Sequence, residues 1–173
     1  MEEINKEVIE SAKNGDEKSM SEIFQYYKDY VMRSSFIYLH RLDEAEDVTE
    51  NVFLKVFMNL KSFNMEKDFR PWLSRIITNE CHNYYHKNRG EYSNSDEMID
   101  LMANTDESFE TVKLIRDCVK NLSFSDREVI MMRFFQELTL EEIAAILKTS
   151  VGAVKVRIHR SVKKLKELVK NDA

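Results

Sequence analysis

Lys and Arg side chains near the carboxyl end of this sequence are the groups best suited to do chemistry. Between Lys148 and Lys170 there are eight Lys or Arg residues and one Glu. At about 100° per residue of a helix, part of this segment faces outward. The outward residues are Ala153, Val156, Arg157, His159, Arg160, Lys163 and Lys164. Because such a basic face donates hydrogen bonds to phosphates and base edges, the pattern predicts a DNA-binding helix.

Capping patterns and apolar spacing predict the elements that would position this helix. Ser125 with Glu128, and Thr139 with Glu142, each form a capping-box pattern that predicts a helix start. A turn at residues 148–150 separates the second of these helices from the basic one, as in a helix-turn-helix. The predicted core side of the basic helix consists of Val151, Val154, Ile158, Val162 and Leu165.

A second set of polar side chains lies in the stretch FRPWLSRIITN and just after it. Arg75, Asn79, His82 and His86 share one helical face, from which they could donate to phosphates or base edges. Pro71 suits the first turn of this helix, where a missing backbone amide hydrogen costs nothing. The core stripe of the same helix is predicted to consist of Leu73, Ile77, Cys81 and Tyr84.

His82 and His86 also have the i, i+4 spacing of a helical metal-binding pair. A metal site needs a third and usually a fourth ligand, and the only candidate nearby in sequence is Cys81, on the core stripe. We therefore expect two surface histidines, no metal and no cofactor. Cys81 and Cys118 are far apart within apolar helical patterns, which predicts buried thiols rather than a disulfide framework.

A third candidate surface lies on an amphipathic helix that begins with carboxylates. These carboxylates are Asp43, Glu44, Glu46, Asp47 and Glu50. Their position suits the positive end of the helix dipole. Phe53 and Leu54 widen the apolar stripe beyond one core face, so the pattern predicts a surface that binds a partner. Upstream, the capping-box pattern of Ser19 and Glu22 predicts the start of another long helix.

Composition limits the possible folds and activities. The chain has 173 residues, 43% of them hydrophobic, but only three glycines and one proline, which predicts an all-α fold. No apolar run approaches the roughly 20 residues of a membrane span, so we expect a soluble, cytoplasmic protein without membrane insertion. The sequence has no phosphate loop, metal constellation or nucleophile paired with His, which argues against a hydrolase and against a small-molecule substrate.

The net charge of -5 hides an uneven distribution along the chain. Residues 91–110 contain seven carboxylates and no Lys or Arg, whereas residues 111–173 contain 13 basic and 8 acidic side chains. The acidic stretch is rich in Ser, Asn and Asp, which is typical of a linker. We therefore expect two small helical domains, at residues 1–88 and 108–173, joined by a flexible acidic linker at residues 89–107.

Four segments of the chain, in this order, resemble the successive signatures of the extracytoplasmic-function sigma factors, a family of small bacterial transcription initiation factors with two domains. The segments are DEAEDVTENVFLKVF, FRPWLSRIITN, LSFSDREVIMMRFFQELTLEEIAAIL and SVGAVKVRIHRSVKKL. The resemblance covers almost the whole chain outside the linker. The ordered set is specific to the family, although no single motif is.

The resemblance implies roles for residues whose function the periodicity left open. The residues that match the docking surface for the polymerase clamp helices are Asp47, Val48, Glu50, Asn51, Phe53 and Leu54. Those that match the -10 reader are Asn64, Met65, Glu66, Lys67, Asp68, Phe69, Arg75, Asn79 and Asn83, with Trp72 and Leu73 supporting the fold. Those that match the -35 reader are Lys155, Val156, Arg157, His159, Arg160 and Lys163.

By this resemblance, the protein binds core RNA polymerase and directs promoter-specific transcription initiation. It would recognise the -35 and -10 DNA elements and help to melt the promoter, without being an enzyme. An anti-sigma factor is a further expected partner. The alternative is a conventional helix-turn-helix regulator with a helical sensor domain, which would bind duplex DNA alone and usually as a dimer on a palindrome.

Overall fold

The computed structural model describes residues 3–88 and 121–172, and the regular structure of these two ranges is helical, as the composition predicts. The first helical body comprises α1 (Lys6–Lys13), α2 (Glu17–Leu39), α3 (Leu42–Asn59), a 3-10 turn (Leu60–Ser62) and α4 (Phe69–Lys87). The second helical body comprises α5 (Phe124–Ile130), a π-helical turn (Met131–Phe135), α6 (Leu140–Ile146) and α7 (Val151–Asp172). The predicted acidic linker and Cys118 lie outside the described residues.

The core of the first helical body forms where α2, α3 and α4 meet. Tyr27 on α2, Val52 on α3 and Leu73 on α4 are completely buried. Ile77 and Cys81 are completely buried as well, which confirms most of the core stripe predicted for α4. Burial raises the pKa of the Cys81 thiol well above its usual range, so this side chain stays a neutral, packed group.

The start of α2 differs from the prediction. The capping residue is Asp16, whose carboxylate accepts hydrogen bonds from the Ser19 backbone N–H at 2.8 Å and the Ser19 hydroxyl at 2.6 Å. These two bonds lower the pKa of Asp16. The prediction that Ser19 begins the helix is therefore wrong by three residues, because an aspartate one turn earlier occupies the same role.

Residues 139–150 form the predicted helix-turn-helix together with α7. Thr139 and Glu142 make the expected capping box, with the Thr139 backbone N–H donating to the Glu142 carboxylate at 2.7 Å. Lys148 takes a positive φ of 52° and turns the chain between α6 and α7. Ile143, Ala144 and Val154 are buried between the two helices.

The start of α5 is a second correction. Ser123, not Ser125, caps this helix, and its hydroxyl accepts the Asp126 backbone N–H. Ser125 lies within the first turn instead, where its hydroxyl is available to another element. Ser123 and Ser125 are only two residues apart, so helical spacing alone does not show which of them caps the helix.

Aromatic rings join the two helical bodies. Phe124 of α5 stacks on Tyr85 of α4, with ring centroids 3.9 Å apart. Phe135 lies parallel to Tyr30 of α2 at 6.2 Å. Phe124 is buried in the same apolar cluster as the core of the first helical body. In this arrangement the two bodies therefore pack against each other directly.

Candidate nucleic-acid interface

The outward face of α7 is an exposed basic surface. Arg160 and Lys163 have side chains that are 63% and 73% exposed, and Val156 is 69% exposed. Lys155 and His159 are exposed as well. Ser150 caps the helix, since its hydroxyl accepts the Ala153 backbone N–H at 3.2 Å. The first three turns of the capped helix therefore present an exposed face of mostly basic side chains that includes Val156.

Arg157 departs from the outward orientation predicted for it. Its guanidinium donates to the Ser125 backbone carbonyl at 2.6 Å and to the Ser125 hydroxyl, and it lies 3.2 Å from the Glu128 carboxylate. The Glu128 side chain is only 4% exposed. The prediction that Arg157 faces outward is wrong, because a carbonyl, a hydroxyl and a buried carboxylate on α5 hold its guanidinium.

Asp126 is a buried, bonded carboxylate beside the candidate DNA-binding helix that the sequence reasoning missed. Its side chain is 2% exposed and accepts hydrogen bonds from the Ser161 hydroxyl at 2.7 Å, the Lys164 ammonium at 2.6 Å and the Ser123 hydroxyl at 2.8 Å. Arg160 lies 3.9 Å away. Burial raises the pKa of Asp126, but these bonds outweigh it and hold the pKa at about 2. Ser161, a polar residue on the core side of a basic helix, was the one sign in the sequence that this helix has a buried polar partner.

Three of the α4 residues predicted to read the -10 element are exposed. Arg75, Asn79 and Asn83 are all exposed and project from successive turns of α4. Asn79 and Asn83 line a groove that also includes Lys148 of the second helical body. The structure therefore brings this polar face and the helix-turn-helix together.

The loop before α4 has a defined conformation. The Asn64 side chain accepts the Glu66 backbone N–H at 2.9 Å, and its backbone carbonyl accepts the Lys67 N–H at 3.1 Å. The Lys6 ammonium of α1 donates to the Met65 carbonyl at 3.3 Å. Glu66, Lys67 and Asp68 are exposed, whereas Met65 is half-buried.

Phe69 was predicted to lie on the DNA side, and that placement is wrong. It is 1% exposed and packs among Phe63, Trp72 and Tyr27, with ring centroids 5.2 to 5.4 Å away. Trp72 is half-buried in the same cluster. This confirms that Trp72 and Leu73 support the fold. Phe69 belongs with them because the chain enters α4 there and its ring points into the aromatic cluster.

Some residues of the candidate docking surface on α3 are exposed and others are buried. Asp47, Glu50 and Asn51 are exposed, and Leu54 is 60% exposed. Met58, one turn beyond Leu54, is 80% exposed and was not predicted, although its i, i+4 spacing to Leu54 was visible in the sequence.

Two of the docking residues predicted on α3 are core residues instead. Val48 and Phe53 are 1% and 4% exposed, and the Phe53 ring packs edge-on against Phe24 at 4.7 Å. Their prediction as contact residues is wrong because α3 packs on both α2 and α4, which widens its buried arc. The exposed apolar pair on this helix is Leu54 with Met58.

His82 and His86 have ring centroids 4.2 Å apart, and both rings lie near Phe124. His82 Nδ1 is 3.4 Å from the Glu128 carboxylate. Across residues 3–88 and 121–172, no three His, Cys, Asp or Glu side chains are grouped so that they could hold a metal ion. The two histidines line the contact between the helical bodies.

These features define a class: a helical protein whose helix-turn-helix carries an exposed basic helix. The family model of Sigma-70 region 2 matches residues 23–91, and that of Sigma-70 region 4 matches residues 113–165. The chain belongs to the sigma-70 family of RNA polymerase sigma factors, as an extracytoplasmic-function sigma factor. This assignment favours a sigma factor over a conventional helix-turn-helix regulator.

Named relatives are similar over nearly their whole length. The chain is 29% identical to the ECF RNA polymerase sigma factor SigW of Bacillus subtilis, over 99% of this chain and 100% of that protein. It is also 29% identical to the ECF RNA polymerase sigma-E factor of Escherichia coli, over 89% of this chain and 88% of that protein. These matches extend across both helical bodies.

Two solved structures share the fold. One is CnrH in complex with the cytosolic domain of CnrY, with a TM-score of 0.71 and 22% identity, covering 97% of this chain and 98% of that one. The other is the sigma factor RpoE with the anti-sigma factor NepR from Bartonella quintana, with a TM-score of 0.74 and 22% identity, covering 90% and 99%. In the part of this chain that the structure describes, no helix is long and apolar enough to cross a membrane.

Proposed function

We propose that residues 1–88 bind core RNA polymerase and open the -10 element, that residues 108–173 read the -35 element, and that residues 89–107 link them. The observation that carries this proposal is the order of the two sigma regions along the chain, each coinciding with an exposed polar face of the matching helical body. Each face has the chemistry that its assigned step requires.

The docking surface for polymerase is assigned to the exposed face of α3. Leu54 and Met58 supply apolar contact area, and Asp47, Glu50 and Asn51 supply polar contacts around it. A central apolar pair with a polar rim is typical of protein interfaces. Val48 and Phe53 act behind this surface, since they hold α3 against its neighbours.

The -10 step is assigned to the loop before α4 and to the exposed face of α4. Asn64, Glu66, Lys67 and Asp68 form the rim of the loop, and Arg75, Asn79 and Asn83 continue it along the helix. Unstacking a base costs a few kcal/mol, which capture of the single strand offsets. Melting therefore requires binding energy and no nucleotide hydrolysis. In this mechanism no covalent bond is made or broken, so the protein is not an enzyme.

The -35 step is assigned to α7. Lys163 would contact a phosphate, while Arg160, His159 and Val156 lie where a helix in the major groove meets base edges. Lys155 adds a charge near the start of the helix. Arg157 is assigned to holding α7 on α5, since its guanidinium is engaged there.

The partners follow from this mechanism. Core RNA polymerase and promoter DNA are required for it, and both place its action in the cytoplasm. Two proteins of the same fold, CnrH and RpoE, were solved with CnrY and with the anti-sigma factor NepR. We include an anti-sigma factor among the partners of this chain on that ground.

Transcription by core polymerase tests the proposal. Core polymerase with the full chain should produce specific transcripts from promoter fragments that core polymerase alone ignores. A conventional regulator would instead bind duplex promoter DNA without polymerase, as a dimer. Specific duplex binding by the chain alone, with no effect on core polymerase, would contradict the sigma-factor mechanism.

A further inference from the structure

Three polar side chains of α7 bind the first turns of α5: one is buried (Ser161), one is 24% exposed (Arg157) and one is 48% exposed (Lys164). Arg157, Ser161 and Lys164 follow one another at intervals of four and three residues, so they share one helical face. Ser161 and Lys164 both donate to the Asp126 carboxylate, at 2.7 and 2.6 Å. Arg157 binds Ser125 and Glu128 one turn earlier. The DNA-facing helix is thus attached to α5 by polar bonds as well as by apolar packing.

These bonds fix the rotation of α7 about its own axis. Apolar contacts tolerate small rotations because dispersion depends only weakly on direction, whereas hydrogen bonds weaken steeply when misaligned. A rotation of about 20° would move side-chain tips by about 2 Å on a helix with a radius of roughly 5 to 6 Å. That displacement would break the short bonds to Asp126. It would also misplace any side chain that reaches a base edge from the opposite face.

Asp126 is suited to this role by its burial and its charge. The side chain is 2% exposed, so its carboxylate competes little with water for its donors. The Ser123 hydroxyl, 2.8 Å away, orients the carboxylate from its own helix. Charge-assisted bonds of this kind are about twice as strong as neutral ones.

Lys164 has a different task from Lys163, its neighbour in sequence. The Lys164 ammonium is held by Asp126, whereas Lys163 lies 4.0 Å from Glu167, and both side chains of this second pair are exposed. Exposed pairs of this length contribute little, so Lys163 is available to a phosphate. The two lysines therefore provide a matched comparison on one helix.

We propose that Asp126 is a positioning residue that sets the rotation of α7 for reading DNA, and that Lys164 acts on promoter selectivity through Asp126 rather than by neutralising a phosphate. The proposal rests on the -35 role assigned to α7. Its distinguishing feature is that a change at Lys164 or Ser161 should alter which sequence is preferred without altering the number of phosphate contacts.

The test compares Lys164→Ala, Ser161→Ala and Lys163→Ala in the full chain, bound to core polymerase. Binding to promoter fragments selected by the unaltered holoenzyme is measured against fragments with single -35 changes, over a range of salt concentrations. Lys163→Ala should lower the salt slope by about one and leave the preference between fragments unchanged. Lys164→Ala and Ser161→Ala should leave the slope unchanged and reduce the preference by at least about threefold.

Two outcomes would overturn the proposal. One is a salt slope lowered by about one in Lys164→Ala, which would make this lysine a phosphate contact. The other is an unchanged preference between fragments in both Lys164→Ala and Ser161→Ala, which would make the Asp126 bonds purely structural, since loss of folded protein reduces binding to all fragments equally. An unaltered holoenzyme with no -35 preference would instead contradict the proposed function.

Discussion

At the scale of single residues, the side chains of α7 include two groups: those that bind the buried Asp126 on α5, and those that are exposed to solvent. Asp126 is ionised, buried and bonded to α7, while Arg160 is 63% exposed and lies 3.9 Å from the same carboxylate. In the mechanism that we propose, Asp126 and its donors set the rotation of α7, and exposed groups such as Lys163 contact DNA. The first group can be tested by the pH dependence of unfolding, and the second by DNA binding of the holoenzyme.

The first prediction concerns the pH dependence of stability. The folded pKa of Asp126 is about 2, below the value near 4 of an unfolded chain, so its contribution is present above pH 4 and is lost as the pH falls through 2. Asp126→Asn should therefore lower the free energy of unfolding by up to about 2 kcal/mol at pH 7. Urea unfolding of both proteins at pH 7 and near pH 2 should show this difference shrinking. A difference independent of pH would mean that ionisation of Asp126 is not what stabilises the fold.

The second prediction concerns Arg160. If its guanidinium meets a base edge, Arg160→Ala should cost about 1 to 3 kcal/mol of holoenzyme binding and relax the preference at one -35 position. Lys166→Ala, an exposed position on the same helix, serves as the control for loss of a positive charge. An equal loss on every -35 sequence would make Arg160 a phosphate contact instead.

At the scale of elements, the number of neighbours decides how much of a helix is buried. Helix α3 packs on both α2 and α4, so Val48 and Phe53 are buried although one core stripe did not require it. Leu54 and Met58 lie outside that arc and remain exposed. This exposed pair is therefore where a partner can be tested without disturbing the core.

The third prediction uses this pair. Leu54→Glu with Met58→Glu should abolish copurification with core polymerase while circular dichroism and thermal unfolding stay nearly unchanged, because both side chains are exposed. Gln25→Glu, at an exposed position of α2, is the control for an added carboxylate. Retention of polymerase by the folded double variant would exclude this face of α3 as the docking surface.

Sequence patterns predicted α2 to α7 and the helix-turn-helix from apolar spacing and capping residues, but they did not predict α1. They missed the starts of α2 and α5, since Asp16 and Ser123 compete with later candidates for the same cap. The inward Arg157 was missed for a related reason. Its direction depends on Ser125 and Glu128, which are about 30 residues away in sequence, and helical phase carries no information about them.

At the scale of the whole molecule, the candidate -10 surface of the first helical body faces α6 and the turn after it, whereas the outward face of α7 is exposed. The Asn64 loop and Arg75 line one groove with Glu142 and Ile146 of α6. A second groove contains Asn79, Asn83 and Lys148. Because α6 and the turn after it line one side of these grooves, separation of the two bodies would widen the access of a melted strand to this face.

Individual contacts between described residues of the two bodies can be changed one at a time. Arg70 of α4 binds the Glu137 carboxylate and donates to the Gln136 carbonyl at 3.2 Å. Glu137 has an exposed side chain, so its ion pair contributes roughly 1 kcal/mol or less. The aromatic contacts are larger, and Phe135 on Tyr30 is one that can be shortened without emptying the core of either body.

The last prediction follows from these contacts. Phe135→Ala with Glu137→Asn should open the free chain and increase its radius of gyration in small-angle X-ray scattering. Asn tolerates the positive φ of 56° at position 137, so the backbone there is preserved. Glu137→Asn alone should produce a smaller increase, since it removes only the exposed ion pair. In the holoenzyme, where polymerase would already hold the bodies apart, the double variant should initiate transcription as well as the unaltered chain does. An unchanged radius in the double variant, with helicity retained, would show that other contacts, such as Phe124 on Tyr85, are sufficient to hold the bodies together.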